Sequence, residues 1–350
     1  MSKHSGSSRK SHNPIAGFFR LLVSLTMFCI LFLGIYAAYK HFSGVDPLKL
    51  SPEAVLGVLS SREESKQLID KVSSLLSVKL DKNNLLPKSN SEEADLESVG
   101  SIEQAPNNSP VTFSVLLVAD SHSENNYLKK AITQGLQKES TIKEIIGLGD
   151  YTEVGTIEEL ESAKKVFDEA GVRYFLVPGD HDLWDSRDKG KIPSANFREV
   201  FGLSYQTFVE RGVQFILINN ADNYAGLGEE QIKWVTDTLE KAKNDPEVHT
   251  LLVFVHTPLY HPSSDHVMGK VDNNLKQEAK NLIRTFKDYG VKQVFAGDIH
   301  FFGSYTEPET GMKMTTLGAL ATQRNTQAPN YAILRIHEDG SVSVEDVMVD

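Results

Sequence analysis

The hydrophobic positions of this 350-residue chain fall into three regimes. Leu21 to Tyr39 is an unbroken apolar run of nineteen residues (LLVSLTMFCILFLGIYAAY) without a charge. As a helix it would reach about 28 Å, near the ~30 Å hydrocarbon core of a bilayer. It is longer than the apolar core of a cleaved signal peptide and ends without a small-x-small site, so it reads as one signal-anchor transmembrane helix. The second regime, residues 51–80, opens Ser51-Pro52-Glu53 and repeats Leu68, Ile69, Val72, Leu75 and Leu76 at helical spacing, which predicts an amphipathic helix. Residues 81–110 carry six acidic side chains, two lysines and many Ser, Asn and Pro, too little apolar surface to order themselves, and read as a linker.

From Val111 short apolar runs alternate with helical periodicity. Strands are predicted at Phe113–Ala119, Ile145–Leu148, Arg173–Val177, Val213–Ile218, Thr250–Val255 and Val291–Ala296. Further strands are predicted at Lys313–Leu317, Tyr331–Ile336 and Ser341–Val349, with Asp339-Gly340 as a hairpin turn. Helices are predicted near 125–138, 156–170, 228–243 and 273–289. Repeated strand–helix units followed by strands indicate a layered α/β domain over 111–350. It follows a basic tail (1–20), the apolar helix (21–39), an amphipathic helical segment (40–80) and the acidic linker (81–110).

Charge sharpens this division. The net charge is −11, yet residues 1–40 hold five basic and no acidic side chains, leaving 31 basic and 47 acidic side chains for the rest. The basic flank of the apolar run predicts a single-pass protein with a cytoplasmic amino terminus and an extracytoplasmic main domain. A broad acidic surface argues against nonspecific nucleic-acid binding. The one cysteine, Cys29, lies in the apolar run, so no disulfide, thiolate metal site or cysteine nucleophile is available to the main domain.

Five predicted strands end in side chains able to ligate a metal: Asp120-Ser121-His122, Gly149-Asp150, Gly179-Asp180-His181-Asp182, His256 and Gly297-Asp298-Ile299-His300. In open α/β sheets the carboxyl ends of the strands form the ligand-binding rim. The glycines at 149, 179 and 297 would let the backbone turn sharply just ahead of the ligands. Singly, each residue has a structural explanation, an Asp as a cap or turn residue and a lone His as a satisfied core group. The ordered set of five does not.

This set resembles the calcineurin-like metallophosphoesterase superfamily, whose motifs run Asp-x-His, Gly-Asp, Gly-Asn-His-Asp/Glu, His and Gly-His-x-His in that order. The resemblance implies a four-layer αββα sandwich and a dinuclear centre hydrolysing phosphomonoesters or phosphodiesters with a metal-bound hydroxide. Asp120, His122, Asp150 and His300 would hold one metal, and Asp150, Asp180, His256 and Asp298 the other. His181 matches the catalytic histidine that contacts the phosphate and protonates the leaving oxygen, a role its ordinary pKa suits. Asp182 beside it could orient the ring or be a solvated surface aspartate. Two divalent ions about 3.5–4 Å apart can clamp both the attacking and the leaving oxygen of an in-line displacement.

Two positions depart from the pattern. Asp180 stands where the family has Asn, and Asp298 where it has His, giving four carboxylates instead of two. Four carboxylates favour harder ions, Mn, Mg, Fe or Ca, over Zn. They would also weaken attraction for a dianionic phosphate, predicting a slower enzyme or one preferring monoanionic diesters. The competing expectation is a catalytically silent metal-binding or interaction module. Trp184 could stack on a substrate ring, but packing at the rim is the plainer reading. Arg187, Lys189 and Lys191 could meet phosphate, with a solvated basic loop as the default reading, and His261, Asp265 and His266 could line the substrate entrance, with surface groups the commoner case. The expected partners are a small phosphate ester and, through 21–39, a membrane. Self-association is left open.

Overall fold

The computed structural model describes residues 109–323, 325 and 327–350. The basic tail, the apolar run, the amphipathic helix and nearly all of the linker lie outside them. Among the described residues no helix is long and apolar enough to cross a membrane.

Strands β1 (Val111–Val118), β2 (Ile142–Gly147) and β3 (Arg173–Leu176) run parallel in that order, and β10 (Asn330–His337) and β11 (Val342–Met348) extend the sheet antiparallel on the β1 side. The second sheet is ordered β4 (Gln206–Glu210), β5 (Val213–Leu217), β6 (Thr250–Phe254), β7 (Gln293–Ala296), β9 (Lys313–Thr316) and β8 (Gly303–Thr306). Its four inner strands are parallel, and β4 and β8 close the edges antiparallel.

Alternation along β1 explains the layering. Phe113, Val115 and Leu117 point into a buried layer with Phe215, Leu217, Leu252, Phe254, Phe295 and Leu334, which joins the two sheets. Leu116 and Val118 point the other way, to Leu128, Ala131 and Ile132 of α1 (Asn125–Lys138) and Leu160, Ala163 and Phe167 of α2 (Ile157–Glu169). Beyond the second sheet, α5 (Gly228–Asn244) and α6 (Asn273–Asp288) bury Val235, Leu239, Leu282, Ile283 and Phe286 against Ile216, Val253 and Val294. Strands buried on both faces read as continuous apolar runs, which is why the pattern located them. The result is the expected four-layer α/β sandwich.

The predicted hairpin is present: β10 and β11 pair up to Ile336 and Val342, and Gly340 takes φ 75° at the turn. Two strands and two α-helices among the described residues were not anticipated. Edge strands β4 and β8 bury little and carry polar residues, and α3 (Trp184–Asp188) and α4 (Ala195–Phe201) are too short to show a period.

Candidate metal centre

The loops at the carboxyl ends of both parallel strand sets meet at one rim, and all seven expected ligands lie there. Asp120 and His122 follow β1, Asp150 follows β2 and Asp180 follows β3. His256 follows β6, and Asp298 and His300 follow β7. Asp120, His122, Asp150 and His300 form one group, and Asp180, His256 and Asp298 another, the ligand atoms within each lying within 4.8 Å of one another. Asp150 stands between them. Its Oδ2 is 3.6 Å from His122 Nε2 and its Oδ1 is 3.6 Å from His256 Nε2.

The backbone is bent to achieve this. Asp120, His122, Asp150, Asp298 and His300 all have φ between 40° and 68°, a left-handed region that non-glycine residues occupy at a cost of about 1–3 kcal/mol each. Short bonds hold the loops there: Asp120 N–H donates to Gly149 O (3.0 Å), His122 N–H to Asp150 O (2.9 Å) and Gly297 N–H to His256 O (2.9 Å). Of the three glycines, only Gly149 has a positive φ, 93°, so the expectation of a shared turn role is corrected. Gly179 and Gly297 instead give room, since a Cβ on Gly179 would stand 2.0 Å from Asp150 Oδ1 and one on Gly297 3.0 Å from Asp120 Oδ2.

The donor set fits divalent cations. His256 is fully buried, and its Nδ1–H donates to Leu148 O at 2.6 Å, which leaves Nε2 as the atom turned to the cluster. That Nε2 makes no hydrogen bond but faces Asp150, Asp180 and Asp298 carboxylate oxygens at 3.6, 3.7 and 4.0 Å. Asp298 Oδ2 is also buried without a hydrogen-bond partner. His122 and His300 approach Nε2 to Nε2 at 3.1 Å, as ligands converging on one point do. Burial pushes the Asp120 carboxyl up to about 8 and raises Asp150 well above the carboxylate range, neighbouring carboxylates adding to both and His256 opposing. Such groups hold their charge only beside a cation. For His256 burial works against the charged form, but Asp150 and its neighbours outweigh it and raise the pKa.

His181 projects beside this cluster. Its Nδ1 lies 2.7 Å from Glu153 O, so Nδ1–H donates to that carbonyl and Nε2 is the atom offered to a ligand. Its ring stacks on Trp184 at 3.8 Å and meets His122 edge-on at 4.5 Å. Trp184 therefore packs on the histidine, in keeping with a rim role. The expectation that Asp182 orients the His181 ring is corrected. Asp182 Oδ1 accepts from Tyr151 N–H (3.1 Å), Thr152 N–H (3.1 Å) and Thr152 Oγ1–H (2.7 Å), and Oδ2 accepts from Gly179 N–H (2.8 Å). Asp182 is a staple between the loops that carry Asp150 and Asp180, its carboxyl pushed up to about 6 by burial and held from rising further by these donors.

Three contributors escaped the sequence reading. Asn220 Oδ1 accepts from His256 N–H (3.0 Å) and Thr257 N–H (3.1 Å), fixing the His256 backbone. Asn223 Nδ2 donates to Asp180 Oδ2 at 3.4 Å. His266, read as a surface group, lies 3.0 Å from Asp298 Oδ1. Burial opposes the Asp298 charge, but His266 outweighs it and holds that carboxyl well below its usual range. The Asn219-Asn220 pair closing the β5 run was the available signal, because it sits at the same strand end as the other ligands. His261 is buried, pushed down to about 4, and its Nδ1 accepts from Ser263 N–H (3.2 Å) and Ser264 N–H (2.9 Å), so it is structural.

Comparisons with known proteins agree with this architecture. The human serine/threonine-protein phosphatase CPPED1 is 31% identical over 152 residues, which are 41% of this chain and 46% of the relative. The zebrafish (Danio rerio) CPPED1 is 25% identical over 178 residues, 48% of this chain and 54% of the relative. The chain thus spans about half the length of the curated relatives it matches. Among solved structures, purple acid phosphatase PPD1 from yellow lupin (Lupinus luteus) superposes with a TM-score of 0.52 at 15% identity, covering 70% of this chain and 52% of that one, a likeness of fold. The profile of the calcineurin-like phosphoesterases matches residues 113–302, more than half of the sequence and every strand-end ligand, and the chain belongs to that family.

Proposed function

We propose that this protein is a metal-dependent phosphoric ester hydrolase with two cation sites that share Asp150. The observation that carries the reading is the Asp150 carboxylate, with one oxygen 3.6 Å from His122 Nε2 and the other 3.6 Å from His256 Nε2. Asp120, His122 and His300 would complete one site, and Asp180, His256 and Asp298 the other. Bound cations would supply charge neutralisation for the phosphoryl group and a water that ionises near neutral pH. The chain's own residues do the rest. His181, fixed through Nδ1, presents Nε2 to the phosphate and, when protonated, passes that proton to the leaving oxygen. Trp184 restricts the ring from one face. Asp182 keeps Asp150 and Asp180 in register through its bonds to their loops.

Relatives named as serine/threonine-protein phosphatases support monoester chemistry, and four carboxylates, with Mn, Mg, Fe or Ca favoured over Zn, support slow turnover or monoanionic diesters. The apolar run at 21–39 supports a tether holding the domain outside the cytoplasm, which protease protection in sealed vesicles tests. The second reading, a silent metal-binding module, is favoured by Asp180 and Asp298. Full-length protein loaded with Mn and assayed on 4-nitrophenyl phosphate and its bis-ester decides between them. Hydrolysis that H181A abolishes while Mn is retained supports the enzyme. Mn binding without hydrolysis of either ester supports the module.

A further inference from the structure

Resting on the hydrolase reading, we propose that Arg187 and Tyr224 form a leaving-group subsite that selects phosphate esters carrying a second anionic group beyond the scissile bond. Two loops, each anchored on the centre, meet above it. One carries His181, Trp184 stacked on it at 3.8 Å, and Arg187 one turn further along α3. The other carries Asn223, whose Nδ2 donates to Asp180 Oδ2, followed by Tyr224. At their outer edge the Arg187 guanidinium carbon lies 5.4 Å from the Tyr224 ring centroid, closing the bridge.

Both partners are accessible at this edge. Tyr224 is 69% exposed, and its turn is fixed by Asp222 Oδ1 accepting from Tyr224 N–H (2.8 Å) and Ala225 N–H (3.2 Å). The neighbouring cations are engaged: Lys189 Nζ lies 2.8 Å from Asp185 Oδ1, and Lys191 Nζ donates to Asn196 Oδ1 at 3.3 Å. Arg187 forms no ion pair among the described residues. A guanidinium laid on a ring face still offers its N–H edge to a carboxylate or phosphate. A centre with four carboxylates gains little net positive charge from two divalent ions, so this cation restores attraction for an anionic substrate. With the phosphoryl group beside His181, a leaving group directed past Trp184 would meet Arg187.

The test uses full-length Mn-loaded protein and calorimetry with non-hydrolysable probes: methylphosphonate, phosphonoacetate and 3-phosphonopropionate. The expected result is that at least one carboxylated probe binds about five- to tenfold more tightly than methylphosphonate, as a charge-assisted contact at a half-exposed site allows. R187A and R187Q bring that ratio near one, and Y224A lowers it while Y224F keeps it. No preference in the wild type, or one that survives R187A, overturns the subsite. If that preparation still hydrolyses 4-nitrophenyl phosphate, the hydrolase reading stands alone. If it neither binds the probes nor hydrolyses the ester, both fall.

Discussion

Alanine at Gly179 tests the packing of the centre without replacing a ligand. A Cβ there would stand 2.0 Å from Asp150 Oδ1, 2.3 Å from Asp150 N and 2.7 Å from Asp150 Cγ. To restore the 3.4 Å at which ordinary contact begins, the carboxylate must retreat by about 1.4 Å, and the backbone nitrogen must shift with it. Overpacking of this kind costs about 1–3 kcal/mol. At about 2–4 °C per kcal/mol for a domain of this size, the melting temperature should fall by about 2–12 °C. A shift of about 1 Å in a positioned group costs about 100-fold in rate, and a displaced shared carboxylate should weaken both cation sites together. Gly303 is the control, because its added Cβ meets nothing closer than 3.8 Å and its φ is not positive. Thermal melts with and without chelator, Mn titration and ester hydrolysis should separate G179A from G303A. If G179A melts like the wild type and binds Mn with unchanged affinity and stoichiometry, the placement of Asp150 against this loop is wrong.

Other expectations follow from individual side chains. D182A leaves three buried N–H groups and a hydroxyl without their acceptor, and should lower stability by several kcal/mol, at about 1–3 kcal/mol per orphaned group; a melt within a degree of the wild type would mean that Asp182 is no staple. D298H, which replaces a carboxylate by the imidazole usual at this position, should shift metal preference from Mn towards Zn in a competition titration, and an unchanged ratio would count against the charge argument. Asp346 Oδ1 is buried without a hydrogen-bond partner, and burial pushes this carboxyl up to about 7. The unfolded chain loses that proton near pH 3.9, so the Asp346 contribution is most favourable below pH ~4 and declines as pH rises to about 7. D346N should therefore gain on the wild type in denaturant midpoint as pH rises from 4 to 8, and a difference independent of pH would refute the reasoning.

Much of this was legible in the sequence because the physics is local. Strands such as β1 and β6 are covered on both faces, so their apolar runs are continuous. The parallel order then puts Asp120, Asp150, Asp180, His256, Asp298 and His300 at one rim whatever the loop detail. What escaped depends on contacts that spacing does not encode. Edge strand β4 (Gln-Thr-Phe-Val-Glu) buries too little to stand out, and β8 (Gly-Ser-Tyr-Thr) is half polar. Asp182 sits next to His181 in sequence, yet its carboxylate turns to backbone donors 3 and 30–31 residues away. His266 and Asn223 reach Asp298 and Asp180 from irregular loops, where no periodicity betrays the direction of a side chain.

The proposed chemistry requires two cations that share Asp150. Anomalous diffraction from crystals of Mn-loaded protein tests it most directly. Two peaks are expected, one between Asp150 and the His122–His300 pair and the other between Asp150 and His256. A single peak, or peaks away from this carboxylate, would contradict it.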